Sequence, residues 1–346
     1  MNNPIVVRDK LIGGRKTFVI AEIGSNHNQS LSLAYESIDS AVECGADAVK
    51  FQSINIDQLY FEPSESTRAL HKKIDLDEKW HWLLDDYCRK KGIIFFSTPT
   101  YLRAVDILEK INVPLYKLAS AQVGTFPQIV EKVSKTDKPI ILSTGIVTKN
   151  ELNDVINLIQ KHDNHKIVIM HCNSIYPTPY DRVFLPVMDD LKKEHQCIVG
   201  FSDHTLDIFI PLAAVAMGAK VIEKHFALDR NLPVPDASFS LEPAEFKRMV
   251  EGIRAIDLSI VSSDRQHLQE AESQFKEAIS TRLVSKKKLK KGEEVKFEHF
   301  RFLRHPKGLN CRYLSRYIEG RAIYGKDIEA NELIYDSDMM VVSQNE

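Results

Sequence analysis

The stretch "ADAVKFQ", residues 46–52, sets Ala48, Val49 and Phe51 around a lysine, Lys50, and ends on Gln52. An apolar run this short, interrupted by one charge, suits a buried strand whose end carries chemistry. Seven further runs share its character: "FVIAEIG" (18–24), "IIFFSTP" (93–99), "LYKLAS" (115–120), "PIILSTG" (139–145), "KIVIMHCNS" (166–174), "CIVGFSDH" (197–204) and "KVIEKHF" (220–226). Near-continuous apolar runs of this length indicate strands buried on both faces, as in a parallel sheet.

Helical patterns fill the gaps. Leu31, Ala34, Ile38, Ala41 and Val42 form one stripe. Thr148 and Glu151 have capping-box spacing before "KNELNDVINLIQ". Pro243 opens a helix carrying Phe246, Met249, Val250 and Ile253 on one face. Eight strand–helix units in about 250 residues predict a (β/α)8 barrel. A doubly wound open sheet ranks lower, because no GxGxxG follows the first strand. Residues 53–76 read as a long loop, either a lid or a plain surface excursion. The polar stretch 257–280 reads as a linker helix. The domain reading is a barrel over 1–265, a linker over 266–282, and a small β-rich domain over 283–346, where "SKKKLKKGEEV" and "YGKDIEANELI" resemble each other.

The formal net charge of the 346 residues is -2, which points to neither nucleic acid nor an anionic membrane. The basic cluster Lys286–Lys291 reads as a solvated turn. Five scattered cysteines without CxxC spacing argue against a disulfide framework or a structural zinc site. The first residues lack an apolar signal region, and no apolar run is long enough for a bilayer. The expected compartment is the cytosol.

Catalytic groups of such barrels sit at the C-terminal ends of the strands. Those ends supply Glu22, Asn26 and His27; Lys50 and Gln52; Ser97 and Thr98; Lys117 and Ser120; Ser143, Thr144 and Gly145; His171, Asn173, Ser174 and Tyr176; Ser202, Asp203 and His204; and Glu223, Lys224 and His225. Lys50 and Lys117 lie inside apolar strands, where a lysine needs an anion or a shifted pKa. With the hydroxyls they suit phosphate and carboxylate, though each could instead form a structural salt bridge or a Schiff base. His204 and His225 end adjacent strands, about 4.8 Å apart, and can converge on Mn²⁺, Fe²⁺ or Zn²⁺. Spacing alone equally allows two hydrogen-bonded histidines lining a polar site.

Taken in order, "IAEIGSNH", "GADAVKFQ", "FFSTP", "YKLAS", "STG", "HCNSIYPTPY", "GFSDHTLD", "IEKHF" and "PDASFSLEP" resemble the sialic acid synthase family, with its legionaminic and pseudaminic acid relatives. The tail, with "KKLKKGEEV" and "FLRHPKGL", is similar to that family's antifreeze-like (SAF, β-clip) domain. The resemblance implies condensation of phosphoenolpyruvate with an N-acylated mannosamine-type sugar. It implies phosphoenolpyruvate contacts at Lys50, Thr98, Lys117, Ser120, Ser143 and Ser202. Sugar contacts fall at Glu22, Gln52, Tyr176, Asp236 and Arg304, and the metal ligands are His204 and His225. Glu22, Lys50 and Lys117 are the implied catalytic residues. The implied metal is Mn²⁺, with Mg²⁺ or Co²⁺ as alternatives, and the implied assembly is a domain-swapped homodimer whose Arg304 reaches the partner's site. N-acetylneuraminate synthase is the first reading. A legionaminic or pseudaminic acid synthase, a Schiff-base aldolase or lyase, and a non-catalytic carbohydrate-binding protein are the alternatives. Gln122 stands where the family usually has glutamate, Ser174 where close sialic acid synthases have asparagine, and "LPVPD" where "GPD" is common.

Overall fold

The computed structural model describes residues 3–261 and 267–341. The chain divides into two compact units, Met1–Ser262 and Ser263–Glu346. Eight parallel strands build the first: β1 Phe18–Gly24, β2 Ala48–Ser53, β3 Ile94–Pro99, β4 Tyr116–Leu118, β5 Ile140–Ser143, β6 Ile167–Cys172, β7 Ile198–Asp203 and β8 Val221–His225. Their order is β3-β2-β1-β8-β7-β6-β5-β4. The last strand pairs with the first, Val221 opposite Phe18 through His225 opposite Glu22. That pairing excludes the open doubly wound sheet. β3 and β4 meet without a ladder, so the barrel closes everywhere but at this seam.

Side chains alternate along each strand, and the alternation builds the site. Phe18, Ile20, Ala48, Ile94, Phe96, Leu115, Ile141, Val168, Met170, Ile198 and Val221 form one apolar core inside the barrel. One further step of two along the strands reaches Glu22, Lys50, Thr98, Lys117, Ser143, Cys172 and Glu223, and two steps past Ile198, beyond Gly200, reach Ser202. The intervening residues, such as Val49, Phe51, Phe95 and Ile222, pack outward against the helices. Each buried aliphatic contributes roughly 1.5–3 kcal/mol, which offsets the burial of charge above.

The helices follow their local signals. Ser30 caps Leu31–Glu43 by accepting from the Leu33 N–H, and that helix buries Ala34, Ile38 and Ala41. Thr148 and Glu151 complete the capping box of Lys149–Gln160. Pro243 opens Pro243–Ser259, which buries Phe246, Met249, Val250 and Ile253.

Three expectations change. Residues 53–76 are not an irregular loop: they hold helices Ile56–Leu59 and Glu65–Ile74, tied back by Asp75, which accepts from the Ile56 N–H at 2.9 Å and meets His71 at 2.5 Å. Only His71 is buried there, so no apolar stripe marked these helices. Residues 257–259 complete the last barrel helix and are not linker. Between 266 and 282 the described residues form helix Glu270–Ile279, and strand Thr281–Ser285 begins before 283. Residues 262–266, which span the expected end of the barrel, lie outside the described residues. A hairpin, Ile5–Val7 with Lys10–Ile12, was not anticipated. Its Ile5, Val7 and Ile12 join the inner core and plug the N-terminal mouth. Arg8 turns it at φ +54°, a residue type that gives no turn signal.

In the second unit Thr281–Ser285 pairs antiparallel with Phe300–Arg304, and Ile323–Tyr324 with Met339–Met340. Leu283, Leu289, Phe300, Tyr317, Tyr324 and Ile334 belong to its core. The two similar phrases face each other: Leu289 bridges Ile328, and Lys290 meets Asp327 at 2.7 Å. Lys287 and Lys288 pair with Glu293 and Glu329, in keeping with a solvated turn.

Candidate active site

Glu223 of β8 is the centre of the charged cluster. Its Oε1 accepts from Lys117 Nζ of β4 at 3.0 Å and from Ser202 Oγ of β7 at 3.2 Å, and lies 3.5 Å from Lys50 Nζ of β2. Lys50 Nζ also donates to Thr98 Oγ1 at 3.2 Å and pairs with Glu22 Oε2 at 2.9 Å. Gln52 Nε2 donates to Glu22 Oε1 at 2.7 Å. All of these except the half-buried Gln52 are buried. The second oxygen of Glu223 is buried and accepts no hydrogen bond from the protein.

The two glutamates titrate apart. Burial raises Glu22 to about 7, with Glu223 adding to the rise and Lys50 opposing it. Burial would raise Glu223 as well, but Lys117 and Lys50 overcome it and hold that carboxyl at about 2. Lys50 is raised: burial opposes, but Glu22 and Glu223 keep it charged. The site thus holds a fixed carboxylate, a protonated lysine and a carboxyl poised near neutrality.

His204 and His225 stand beside this cluster, ring centroids 5.5 Å apart. His204 Nδ1 donates to the Asn173 carbonyl at 2.7 Å, which leaves Nε2 with its lone pair. Burial lowers the pKa of both rings, and His204 lowers His225 further. Neutral imidazoles are what a divalent ion requires. His225 Nδ1 is buried without a hydrogen bond, 3.8 Å from Asp236 Oδ2. Among the described residues no group of three or more His, Cys, Asp or Glu is arranged for a metal. The two imidazoles fit a metal only if water or substrate supplies the remaining ligands.

A cavity of about 170 Å³ opens over these groups, its lining including Glu22, Lys50, Ser120, Ser143, Ser202 and His225. Thr98 and Lys117 reach it through their bonds to Lys50 and Glu223. Larger clefts of about 640 and 800 Å³ open elsewhere on the barrel, and neither is lined by those charged groups or the two histidines. Gly145 donates its N–H to Ser120 Oγ at 2.8 Å. A Cβ there would stand 2.4 Å from Ser174 Oγ and 3.0 Å from Cys172 Sγ, so any larger residue would displace the Ser174 hydroxyl from this wall. Gly24, at φ +54°, packs likewise between Glu22, Gln52 and Asp236. Tyr176 lies 4.3 Å from the His204 ring, and Phe239 covers His225 at 4.9 Å.

Not every strand-end residue joins the cluster. His171 faces outward and donates Nε2–H to the Val183 carbonyl at 2.6 Å. His27 is buried beside Trp80 and accepts from the Gln29 N–H. Lys224 also points outward, to Asp203. Arg304 belongs to the second unit, where it is exposed. Glu223 was read only as one of the polar strand ends and given no role, and Cys172 and Phe239 were not among the expected site residues. The alternation that places His225 inward would have placed Glu223 inward too.

Comparisons with known proteins show which family and fold the chain shares. The NeuB family is matched over residues 37–265. An uncharacterized protein of Methanocaldococcus jannaschii is 40% identical over 97% of this chain and 98% of its own. The N,N'-diacetyllegionaminic acid synthase of Campylobacter jejuni is 37% identical over 81% of this chain and 87% of its own. The crystal structure of the N-acetylneuraminic acid synthetase of Leptospira borgpetersenii superposes with a TM-score of 0.73 at 31% identity, over 79% of this chain and 95% of that one.

Proposed function

The chain belongs to the NeuB family, and from that premise we propose that it condenses phosphoenolpyruvate with an N-acylated mannosamine-type sugar, giving a nonulosonic acid and phosphate. One observation carries the reading: Lys50, Lys117 and Ser202 converge on Glu223 at the cavity that His204 and His225 also reach. Two buried cations and several hydroxyls suit a ligand carrying both phosphate and carboxylate.

In this reading Lys50, Thr98, Lys117, Ser120, Ser143 and Ser202 bind phosphoenolpyruvate. The methylene carbon of phosphoenolpyruvate bonds to the sugar's aldehyde carbon, water adds at C2, and the C–O bond to phosphate breaks. A divalent metal on His204 and His225, Mn²⁺ or else Mg²⁺ or Co²⁺, supplies Lewis acidity toward the aldehyde. Glu22, held by Gln52 and Lys50, gives the carbonyl oxygen its proton, and a carboxyl near 7 can hold or release one at neutral pH. Glu223 helps keep Lys50 charged and aligns both lysines before substrate arrives. Tyr176, Asp236 and Gln52 face the sugar. The expected compartment is the cytosol, and the tail is read as an antifreeze-like domain.

N-acetylneuraminate synthase remains the first substrate reading, on "IYPTPY" and "SDHTLD". The 37% identity to a legionaminic acid synthase and the phrase "PDASFSLEP" favour a 2,4-diacetamido-trideoxyhexose instead. Phosphate release from phosphoenolpyruvate with N-acetylmannosamine, its 6-phosphate and diacetamido sugars decides between them. Release with none of these sugars sinks the synthase reading.

Arg304 is assigned to the N-acyl group of sugar bound in the partner subunit. Arg304→Ala is expected to raise the sugar KM at least about 10-fold, the scale of one charge-assisted bond, with little change for phosphoenolpyruvate. Mixing it with a barrel-dead variant should restore activity. Equal loss for both substrates, or no rescue, contradicts the assignment.

A further inference from the structure

We propose that Lys224 is a positioning residue that fixes the spacing of the His204–His225 pair from behind the barrel wall. The β7–β8 ladder runs Ser202 opposite Glu223 and Asp203 opposite Lys224, and stops there. His225 is still carried by its ladder with β1. His204 is the next residue beyond the β7 ladder, so no strand pairing with β8 sets its height.

Lys224 bridges that gap on the outer face. Its Nζ donates to Asp203 Oδ2 at 2.5 Å and to the Thr205 carbonyl. Asp203 in turn accepts from the Thr205 N–H at 3.1 Å and from Thr205 Oγ1 at 2.9 Å. The residues on both sides of His204 are thereby tied to the residue just before His225. Asp203, Thr205 and Lys224 are all essentially fully buried. The other ties on His204 reach a different segment, through the Thr178 N–H on its carbonyl and its ring on Asn173. Lys224 therefore provides the staple that references His204 to β8.

The burial of this ion pair is not in itself a sign that it stabilises the fold. A buried ion pair away from any ligand is commonly replaceable by apolar residues at no loss of stability, because desolvation cancels most of the attraction. Groups that orient metal ligands from outside the coordination sphere typically set metal affinity by 10–100-fold. The staple has that position.

The inference rests on the reading that the two histidines hold a divalent ion, so the test measures Mn²⁺ itself. Mn²⁺ affinity of the full chain is measured by electron paramagnetic resonance of the free ion. Asp203→Asn with Lys224→Met removes both charges together, which avoids a lone buried ion; Thr205→Val is a milder second variant. The double variant is expected to fold with its melting temperature near the parent's, to bind phosphoenolpyruvate as the parent does without metal, and to lose Mn²⁺ affinity about 10–100-fold. Thr205→Val should lose several-fold. Undiminished Mn²⁺ binding in both variants overturns the staple while leaving the metal reading intact. A parent chain that binds no Mn²⁺ overturns both.

Discussion

Glu22→Gln is expected to lower kcat by roughly 10²–10⁴-fold, the usual contribution of a general acid or base, while the protein stays folded. Burial holds the Glu22 proton to about pH 7, whereas an unfolded glutamate releases it near 4.5. Between those values the native state binds more protons than the unfolded chain, so stability declines as pH rises through that window and levels off above 7. A neutral glutamine resembles the protonated form and should flatten this segment. Its side chain still meets Gln52 and Lys50, but it cannot give up a proton to a carbonyl oxygen. The parent's kcat/KM should fall as pH rises through about 7, and that break should vanish in the variant. Urea denaturation and a pH–rate profile check the two halves separately. An unchanged pH break in Glu22→Gln would remove Glu22 from the chemistry.

His225→Ala is the second large effect. Among the described residues no third ligand joins His204 and His225, so under the proposed metal reading removal of one imidazole halves the protein's ligands. Mn²⁺ affinity should fall on the order of 10²-fold or more, beyond the loss typical of an orienting group. Turnover should fall about 10³-fold, the equivalent of the several kcal/mol a Lewis acid supplies. His204→Ala should behave alike. Phosphoenolpyruvate binding should survive, because its lysines are held by Glu223. Full activity in both variants would show that the two rings only line a polar site.

Much of this was readable from the chain because a barrel strand writes its position every second residue. Ala48, Lys50 and Gln52 give the inner face of β2 directly, as Val221, Glu223 and His225 give that of β8. Glu223 was overlooked because a glutamate between isoleucine and lysine reads as one polar end among several. Its role appears only when Lys50 and Lys117 arrive from other strands. The helices at 56–59 and 65–74 were invisible for the opposite reason: they bury almost nothing and so carry no stripe. Their local signals are cap residues such as Asn55 and Ser64 and charges that suit the helix dipole, Glu65 in the first turn and Lys72 and Lys73 in the last. His204 and His171 show what register adds to strand-end reading. Both follow apolar runs, yet one faces the cavity and the other the Val183 carbonyl. Register decides between them, and composition does not record it.

The central claim is that the lysine–glutamate array and the histidine pair form one metal-assisted condensation site. The direct measurement is phosphate release from phosphoenolpyruvate with Mn²⁺, with and without an N-acylated amino sugar, before and after EDTA, with borohydride added in parallel. Release that requires the sugar, stops with EDTA, returns with Mn²⁺ and leaves Lys50 and Lys117 unmodified is the predicted result. Turnover indifferent to EDTA, with borohydride trapping a covalent adduct on either lysine, would contradict it.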